Sequence, residues 1–259
     1  MKHLFYKYQG TGNDFVMIDN RLGRFDKNNT DLIAHLCNRR TGVGADGLIL
    51  LESDSSYDFK MVYFNADGNE STMCGNGGRC IVAFANFLGI IQRDTEFIAI
   101  DGPHLAQIKE AYVELKMQEV STITSRKNYH LLDTGSPHYV ALQSELQAID
   151  MNAEGSKIRY SAPFDASGVN VNFAEKINEN TFAIRTYERG VEGETLSCGT
   201  GATAVAIAMY HSHQTRSKSI TLETQGGNLQ VRFEPLVSSY SDVWLCGPTK
   251  QVFKGELEW

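Results

Sequence analysis

No stretch of this 259-residue chain approaches the run of about 20 apolar residues that a membrane-spanning helix needs. The N-terminal Met1-Lys-His-Leu-Phe-Tyr-Lys-Tyr8 also lacks the apolar centre of a secretory signal. With an odd number of cysteines, five, the expected setting is the reducing cytoplasm, with no membrane contact. Basic residues are outnumbered, 24 against 31 acidic, and nowhere cluster, so nucleic acid is not an expected partner. Short Cys-x-x-Cys spacing is missing between Cys74 and Cys80, and His211-Ser-His213 reads as a polar helix end, so no metal is expected. Thr41-Gly-Val-Gly-Ala-Asp-Gly47 is rich in glycine but runs into a strand, the wrong order for a dinucleotide fingerprint. No long linker and no low-complexity stretch divides the chain. Its length suits two domains of ordinary size with a substantial core.

What is present is a device that occurs twice. Asn65-Ala-Asp-Gly-Asn-Glu-Ser-Thr-Met-Cys-Gly-Asn-Gly-Gly-Arg-Cys80 leads into an apolar run in which Ile81, Phe84, Ala85 and Leu88 recur at helical spacing before Gly89. Cys198-Gly-Thr-Gly201 repeats Cys74-Gly-Asn-Gly77, and an alanine-rich helical run follows it. Each copy reads as a cysteine ahead of a helix, separated from it by a turn of glycines whose N–H groups can hold a carboxylate. The same field favours a thiolate. A polar residue ending a strand leads each copy, Asn65 in the first and Glu188 in the second.

The resemblance between the halves extends outward. Residues 4–8 and 15–19 read as strands around the turn Gly10-Thr-Gly-Asn-Asp14, and residues 30–40 as a helix capped by Thr30 or Asp31. Strands follow at 48–51 and 59–64, and again at 96–100, 105–110 and 111–117. In the second half, Leu132-Asp-Thr-Gly-Ser-Pro-His-Tyr-Val140 parallels the segment from Gly10 to Val16, and Gly168-Val-Asn-Val-Asn-Phe173 parallels Gly42 to Gly47. Strands are expected at 181–187, 220–224, 229–233 and 242–246. The chain thus reads as an internally duplicated α/β (α+β) protein, rich in strands, with one clearly marked long helix per half.

Two cysteines on facing halves suit proton transfer on both faces of one carbon, by general acid–base catalysis. Helix N-termini at Gly75-Asn-Gly77 and Gly199-Thr-Gly201 would stabilise the charge that develops. His138 and Glu188 are the titratable neighbours in the polar turns. Taken singly, His138 is an ordinary loop residue and Glu188-Arg189 a surface ion pair; within the constellation both read as functional. Cys37, Cys80 and Cys246 read as small buried apolar residues.

Gly10-Thr-Gly-Asn-Asp-Phe15, Asn65-Ala-Asp-Gly68, Met73-Cys-Gly-Asn-Gly-Gly-Arg-Cys80, Glu188-Arg-Gly190 and Glu194-Thr-Leu-Ser-Cys-Gly-Thr-Gly201 resemble the diaminopimelate epimerase family. The resemblance implies two pseudo-symmetric domains, each a mainly antiparallel sheet around a central helix, with the active site in the cleft between them. It implies a first domain of residues 1–117, joined by 247–259, and a second of residues 118–246. The activity implied is interconversion of LL- and meso-diaminopimelate without pyridoxal phosphate or other cofactor, on the route to lysine and peptidoglycan precursors, by a homodimer. Cys74 and Cys198 would be the acid/bases, assisted by His138 and Glu188 respectively. Asn13, Asn65, Asn170, Glu188 and Arg189 would contact substrate, and Gly75-Asn76 and Gly199-Thr200 its carboxylate. Two departures stand out. Ser136 occupies a position where the family commonly has asparagine, and one extra residue separates Glu188 from Cys198, expected to bulge around Val191-Glu-Gly193. A sibling of the proline racemase type, and a redox pair formed by the two cysteines, are the rival readings.

Overall fold

The computed structural model describes residues 2–164 and 166–258. The chain forms two compact units, one reaching to Leu115 and resuming at Gly247, the other spanning Lys116–Cys246.

In the first unit, strands β1 (Lys2–Gly10) and β2 (Asn13–Asp19) form a hairpin, followed by helix α1 (Thr30–Cys37). Then come β3 (Gly47–Glu52), β4 (Lys60–Asn65), the two-residue β5 (Glu70–Ser71) and helix α2 (Gly75–Phe87). Strands β6 (Asp94–Ala99), β7 (Gly102–Lys109) and β8 (Tyr112–Lys116) complete the run. β2 pairs in parallel with β3, and β4 with β6; the remaining pairs in this run are antiparallel. Successive side chains of a strand point to opposite faces, and here both faces are covered. Val16, Ile18, Leu48 and Leu50 join Phe5, Val62 and Phe64 around Ile33 and Leu36 of α1. Their neighbour Ile49 lies instead under Gly77 of α2. This double coverage is why residues 48–51 are apolar without alternation.

The second unit repeats the plan. β9 (Ile123–Ser125), β10 (His130–Asp133) and β11 (Pro137–Leu142) lead through a 3-10 turn (Leu146–Ala148) to helix α3 (Met151–Arg159). β12 (Asn170–Lys176), β13 (Thr181–Glu188) and β14 (Gly193–Thr195) precede helix α4 (Gly199–His211), and β15 (Ser219–Thr224), β16 (Gly227–Pro235) and β17 (Tyr240–Pro248) close the run. Pair by pair the hydrogen-bonding sense matches the first unit: β10–β11 antiparallel, β11–β12 parallel, β12–β13 and β13–β14 antiparallel, β13–β15 parallel, β15–β16 and β16–β17 antiparallel. Outside the first hairpin strand, β10 is flanked by its chain neighbour β9, whereas β1 is flanked by the last strand, β18 (Lys250–Glu258). The duplicated, sheet-dominated α/β architecture is therefore present in both halves.

Helix α4 is buried from Gly199 to Met209 except for the half-buried Thr200. A helix that is apolar all round belongs inside a core, and alanine lets the strands approach it closely. It packs on β10, β11, β12, β13, β15 and β16; α2 packs on β1, β2, β3 and β7. No helix among the described residues is long and apolar enough to cross a membrane.

Three local expectations are corrected. Cys74 and Cys198 are themselves the N-cap residues, and the glycines after them form the first helical turn rather than a separate one. The cap of α1 is Asn29, whose side chain accepts the Leu32 N–H at 3.0 Å, and the helix stops at Cys37 because Asn38 turns extended. Helix α3 has no apolar stripe to announce it. It buries only Met151 and Gly155, the latter seated on Tyr187, whose Cβ would lie within 2.4 Å of a Cβ at that position.

Candidate active site

In the first unit, the β1–β2 turn, the loop before β3 and the start of α2 converge on Cys74. Its half-buried sulfur accepts the Gly77 N–H at 3.1 Å, an N-cap bond made by a thiol. The thiol donates to Asn13 Oδ1 at 3.9 Å. Asn76 donates to the same oxygen at 3.3 Å, and its own Oδ1 accepts from Nη2 of Arg79 at 3.0 Å. Arg79 is fully buried and also donates to the Gly75 carbonyl and the Thr11 hydroxyl. The side chain of Asn76 is thus engaged within the unit. Gly75 and Asn76 lie where a helix makes no internal N–H bond. The base of the turn is charged. Lys7, nearly buried, pairs with Asp14 at 2.7 Å and donates to the Gly44 carbonyl, and Arg39 bridges Asp14 and Asp46 at 2.7 Å each. Burial by itself would raise the Asp14 carboxyl, but the bonds from Arg39 and Lys7 outweigh it and hold it at about 2. Asn65 ends β4, exposed, opposite Gly47, outside this network.

In the second unit, Cys198 is buried, lies 3.5 Å from the Thr200 hydroxyl, and makes no N-cap bond of the kind seen at Cys74. Glu188 ends β13 and accepts the Thr195 hydroxyl at 2.8 Å from the adjoining β14. Arg189 follows, donating through Nη2 to Ser136 Oγ at 3.2 Å and through Nη1 to the Ser167 carbonyl at 3.0 Å. Asn170 ties this corner together. Its oxygen accepts the Arg189 backbone N–H at 2.9 Å, and its amide donates to Ser136 Oγ at 2.8 Å and to the Pro137 carbonyl. The serine hydroxyl therefore accepts directly from both Asn170 and Arg189. The loop from Arg189 to Glu192 holds Glu192 at a φ of 56°, with its N–H bonded back to the Glu188 carbonyl.

His138 lies in β11, fully buried, opposite Asn170 in register. Its Nδ1 meets the amide of Asn172 at 3.0 Å, and its Nε2 has no hydrogen-bond partner. Burial, with a smaller push from the Arg189 charge, lowers its pKa to about 3. Asn172 is fully buried. Its Nδ2 also donates to the Tyr139 carbonyl, and its Oδ1 accepts the Thr186 hydroxyl at 2.9 Å. Asn172, Thr195 and Asp46 belong to the candidate site but were not singled out in the sequence. The signal for Asn172 was there: it sits two residues after Asn170 and so shares that residue's face of the strand. The other three cysteines are fully or nearly buried; burial pushes the Cys37 thiol up to about 12 and raises that of Cys80 further. No group of metal-binding side chains occurs among the described residues.

Comparison with known proteins agrees with the fold. A diaminopimelate epimerase of Flavobacterium psychrophilum is 57% identical over 250 residues, covering 96% of this chain and 98% of its own. Another, from Chlorobaculum tepidum, is 40% identical over 257 residues with the same coverage. Among solved structures, a Bacillus anthracis phenazine biosynthesis protein of the PhzF family superposes with a TM-score of 0.77 at 14% identity, over the full length of both chains. A hydroxyproline epimerase from Agrobacterium vitis follows with a TM-score of 0.65 at 14% identity, over 99% of this chain and 92% of its own. These two share the fold alone. The family profile described as diaminopimelate epimerase matches residues 5–122 and 130–238. With relatives this similar along almost the whole sequence, the chain belongs to the diaminopimelate epimerase family.

Proposed function

We propose that this protein interconverts LL- and meso-2,6-diaminopimelate, a step toward lysine and peptidoglycan precursors, with Cys74 and Cys198 as the two acid/bases. The observation that supports this reading most directly is the repeated helix cap. A duplicated chain places a cysteine at the N-cap of a buried helix in each half, followed by small residues whose N–H groups meet no carbonyl of their own helix. One thiolate takes the α-proton, the other thiol returns a proton to the opposite face, and the centre inverts. The α-carbon of an amino acid is a very weak acid, so charge spreading onto the carboxylate must be stabilised. The first-turn N–H groups of Gly75-Asn76 and Gly199-Thr200 are suited to hold that carboxylate.

The rest of the substrate is assigned by polarity. Glu188, oriented by Thr195, accepts from an ammonium group. Arg189, steadied by Ser136 and Ser167, presents a guanidinium for a distal carboxylate, and Asn13, Asn65 and Asn170 serve the distal amino-acid head. A site built to bond a distal head group rejects analogues that lack it, because its polar atoms would be left unpaired. The test is α-proton exchange into deuterated water, with no pyridoxal phosphate or metal added. LL- and meso-diaminopimelate should exchange, whereas lysine, glutamate and proline should not. Cys74→Ala and Cys198→Ala should each abolish epimerisation, the pair acting as a unit. Comparable exchange with proline would move the assignment to the racemase type, and near-normal activity in either single variant would sink the two-base assignment.

A further inference from the structure

The loop before β3 carries the one glycine-rich motif that the proposed chemistry does not use, and its charged residue is Asp46. We propose that Asp46 is a positioning residue for Cys74: it holds the Asn13 amide with its oxygen turned toward the sulfur, and so sets the balance between thiol and thiolate there. This deepens the acid/base reading of Cys74 and rests on it.

Asp46 Oδ2 accepts Asn13 Nδ2 at 2.7 Å and the Asp14 backbone N–H at 3.2 Å, while Oδ1 takes Nη2 of Arg39 at 2.7 Å. A carboxylate only accepts, so the Asn13 NH2 must face Asp46 and its oxygen must face the other way. There it meets the Asn76 amide and the Cys74 thiol. Asn76 cannot turn to relieve the arrangement, because its own oxygen is claimed by Arg79 and Thr11. The relay Asp46–Asn13–Asn76–Arg79 is therefore pinned at one end by a group that only accepts and at the other by one that only donates. The sulfur between them meets opposed influences. The Gly77 N–H favours the thiolate, and the Asn13 oxygen favours the protonated thiol.

The second half of the chain carries the same joint independently. Ser136, in the turn before β11, is tied to Asn170, the first residue of the parallel neighbour β12, at 2.8 Å. Asn13, at the start of β2, is tied to Asp46, which directly precedes the parallel neighbour β3. Each half thus locks its turn residue from the head of the next strand. Other charged or titratable groups near Cys74 include Arg79 and Cys80 on its own helix, Lys7, Asp14 and Arg39 beneath the turn, and Asp101 with its partner His104. Asp101 reaches the segment through the Met73 N–H. Of all these, Asp46 alone fixes which end of Asn13 the sulfur sees.

The test is the pH dependence of iodoacetamide alkylation at Cys74 and Cys198, read by peptide mass spectrometry on the full-length protein, D46N, N13A and the double variant. In D46N the single amide oxygen is taken by Arg39, the NH2 faces Asn13, and Asn13 no longer holds its oxygen to the sulfur. The Cys74 midpoint should move to lower pH by about 0.5 unit or more, with Cys198 unmoved. N13A should shift Cys74 in the same direction, and the double variant should shift it no further than the larger single. An unmoved Cys74 midpoint in either folded variant, equal movement of Cys198, or simple addition of the two shifts would overturn the proposal. Alkylation reads the sulfur itself, so a protein that shifts as expected yet exchanges no diaminopimelate would refute the proposed activity and uphold the role of Asp46.

Discussion

His138 is held in one tautomer by its neighbour rather than by a charge. The Asn172 oxygen accepts from Thr186 and its amide donates to the Tyr139 carbonyl, so the amide end is the one that faces Nδ1. Nδ1 is then the acceptor, and the proton sits on Nε2. A buried, neutral imidazole of this kind offers a hydrogen bond from Nε2 and does not take up a proton near neutral pH. The linkage follows in sign. The native pKa, near 3, lies below the ordinary value of 6.5, so between those pH values the unfolded chain binds a proton that the native state refuses. His138 therefore costs stability on acidification from about pH 6.5 down to about pH 3, by up to ~1.4 kcal/mol per pH unit. Urea midpoints measured against pH should fall less steeply in His138→Gln than in the parent protein. Equal slopes across that window would mean that His138 charges in the native state. Asp14 has the opposite arrangement and a lower window: its contribution is present above about 3.8 and is lost as pH falls toward 2.

At the scale of elements, α2 and α4 have the same opening pattern but different tolerances. A Cβ at Gly201 would stand 2.4 Å from Asn172 Oδ1, an atom that is buried and held by Thr186. At Gly77 the nearest atoms are the ends of Ile49 and Cys74, at 3.1 and 3.2 Å. Alanine gains about 1 kcal/mol of helix propensity over glycine at either position. At Gly77 that gain roughly offsets a tight contact. At Gly201 the side chain must displace Asn172 and break its bond to His138, an overpacking cost of about 1–3 kcal/mol. Gly201→Ala should thus lower the melting temperature clearly and loosen His138, seen as a change in its imidazole NMR signals, while Gly77→Ala stays near the parent. The reverse order of melting temperatures would show that the two helices are not packed as described. The central helices were legible because their apolar spacing is dense. Helix α3 was not, since it buries two residues and owes its place to Gly155 against Tyr187.

For the molecule as a whole, duplication leaves one place to be filled differently. The flank of β10 is covered by β9, five residues upstream, but the flank of β1 is covered by a strand from the far end of the chain. β18 runs antiparallel to β1 from Lys2 opposite Glu258 to Gln9 opposite Lys250. Leu257 packs on the first unit's core, and Phe253 stands edge-on to Phe5 at 6.0 Å. Gly255 is required there, as a Cβ would come within 2.7 Å of the Phe5 ring. Truncation after Gly247 should strip hydrogen-exchange protection from β1 and β2, while β12 and β13, which share no pairing with β18, keep theirs. Uniform loss across both units would argue that the last strand supports the chain globally.

Residue order and spacing were enough to read that the chain is doubled, that each half is mostly strand around one apolar helix, and that Cys74 and Cys198 stand at matching helix starts. Those features are periodic and local, and periodicity survives without coordinates. The same spacing marked Asn13, Asn65, His138, Asn170, Glu188 and Arg189 as polar residues in turns and strand ends. Which of them meet follows from the three-dimensional packing. Asn13 reaches Cys74 across 61 residues because β2 and the start of α2 adjoin, and Arg189 reaches Ser136 across 53. The tautomer of His138, the direct bonds at Ser136 and the grip of Asp46 on Asn13 all depend on which donor faces which acceptor. That choice is made by strand register and burial, and a one-residue shift would reverse it.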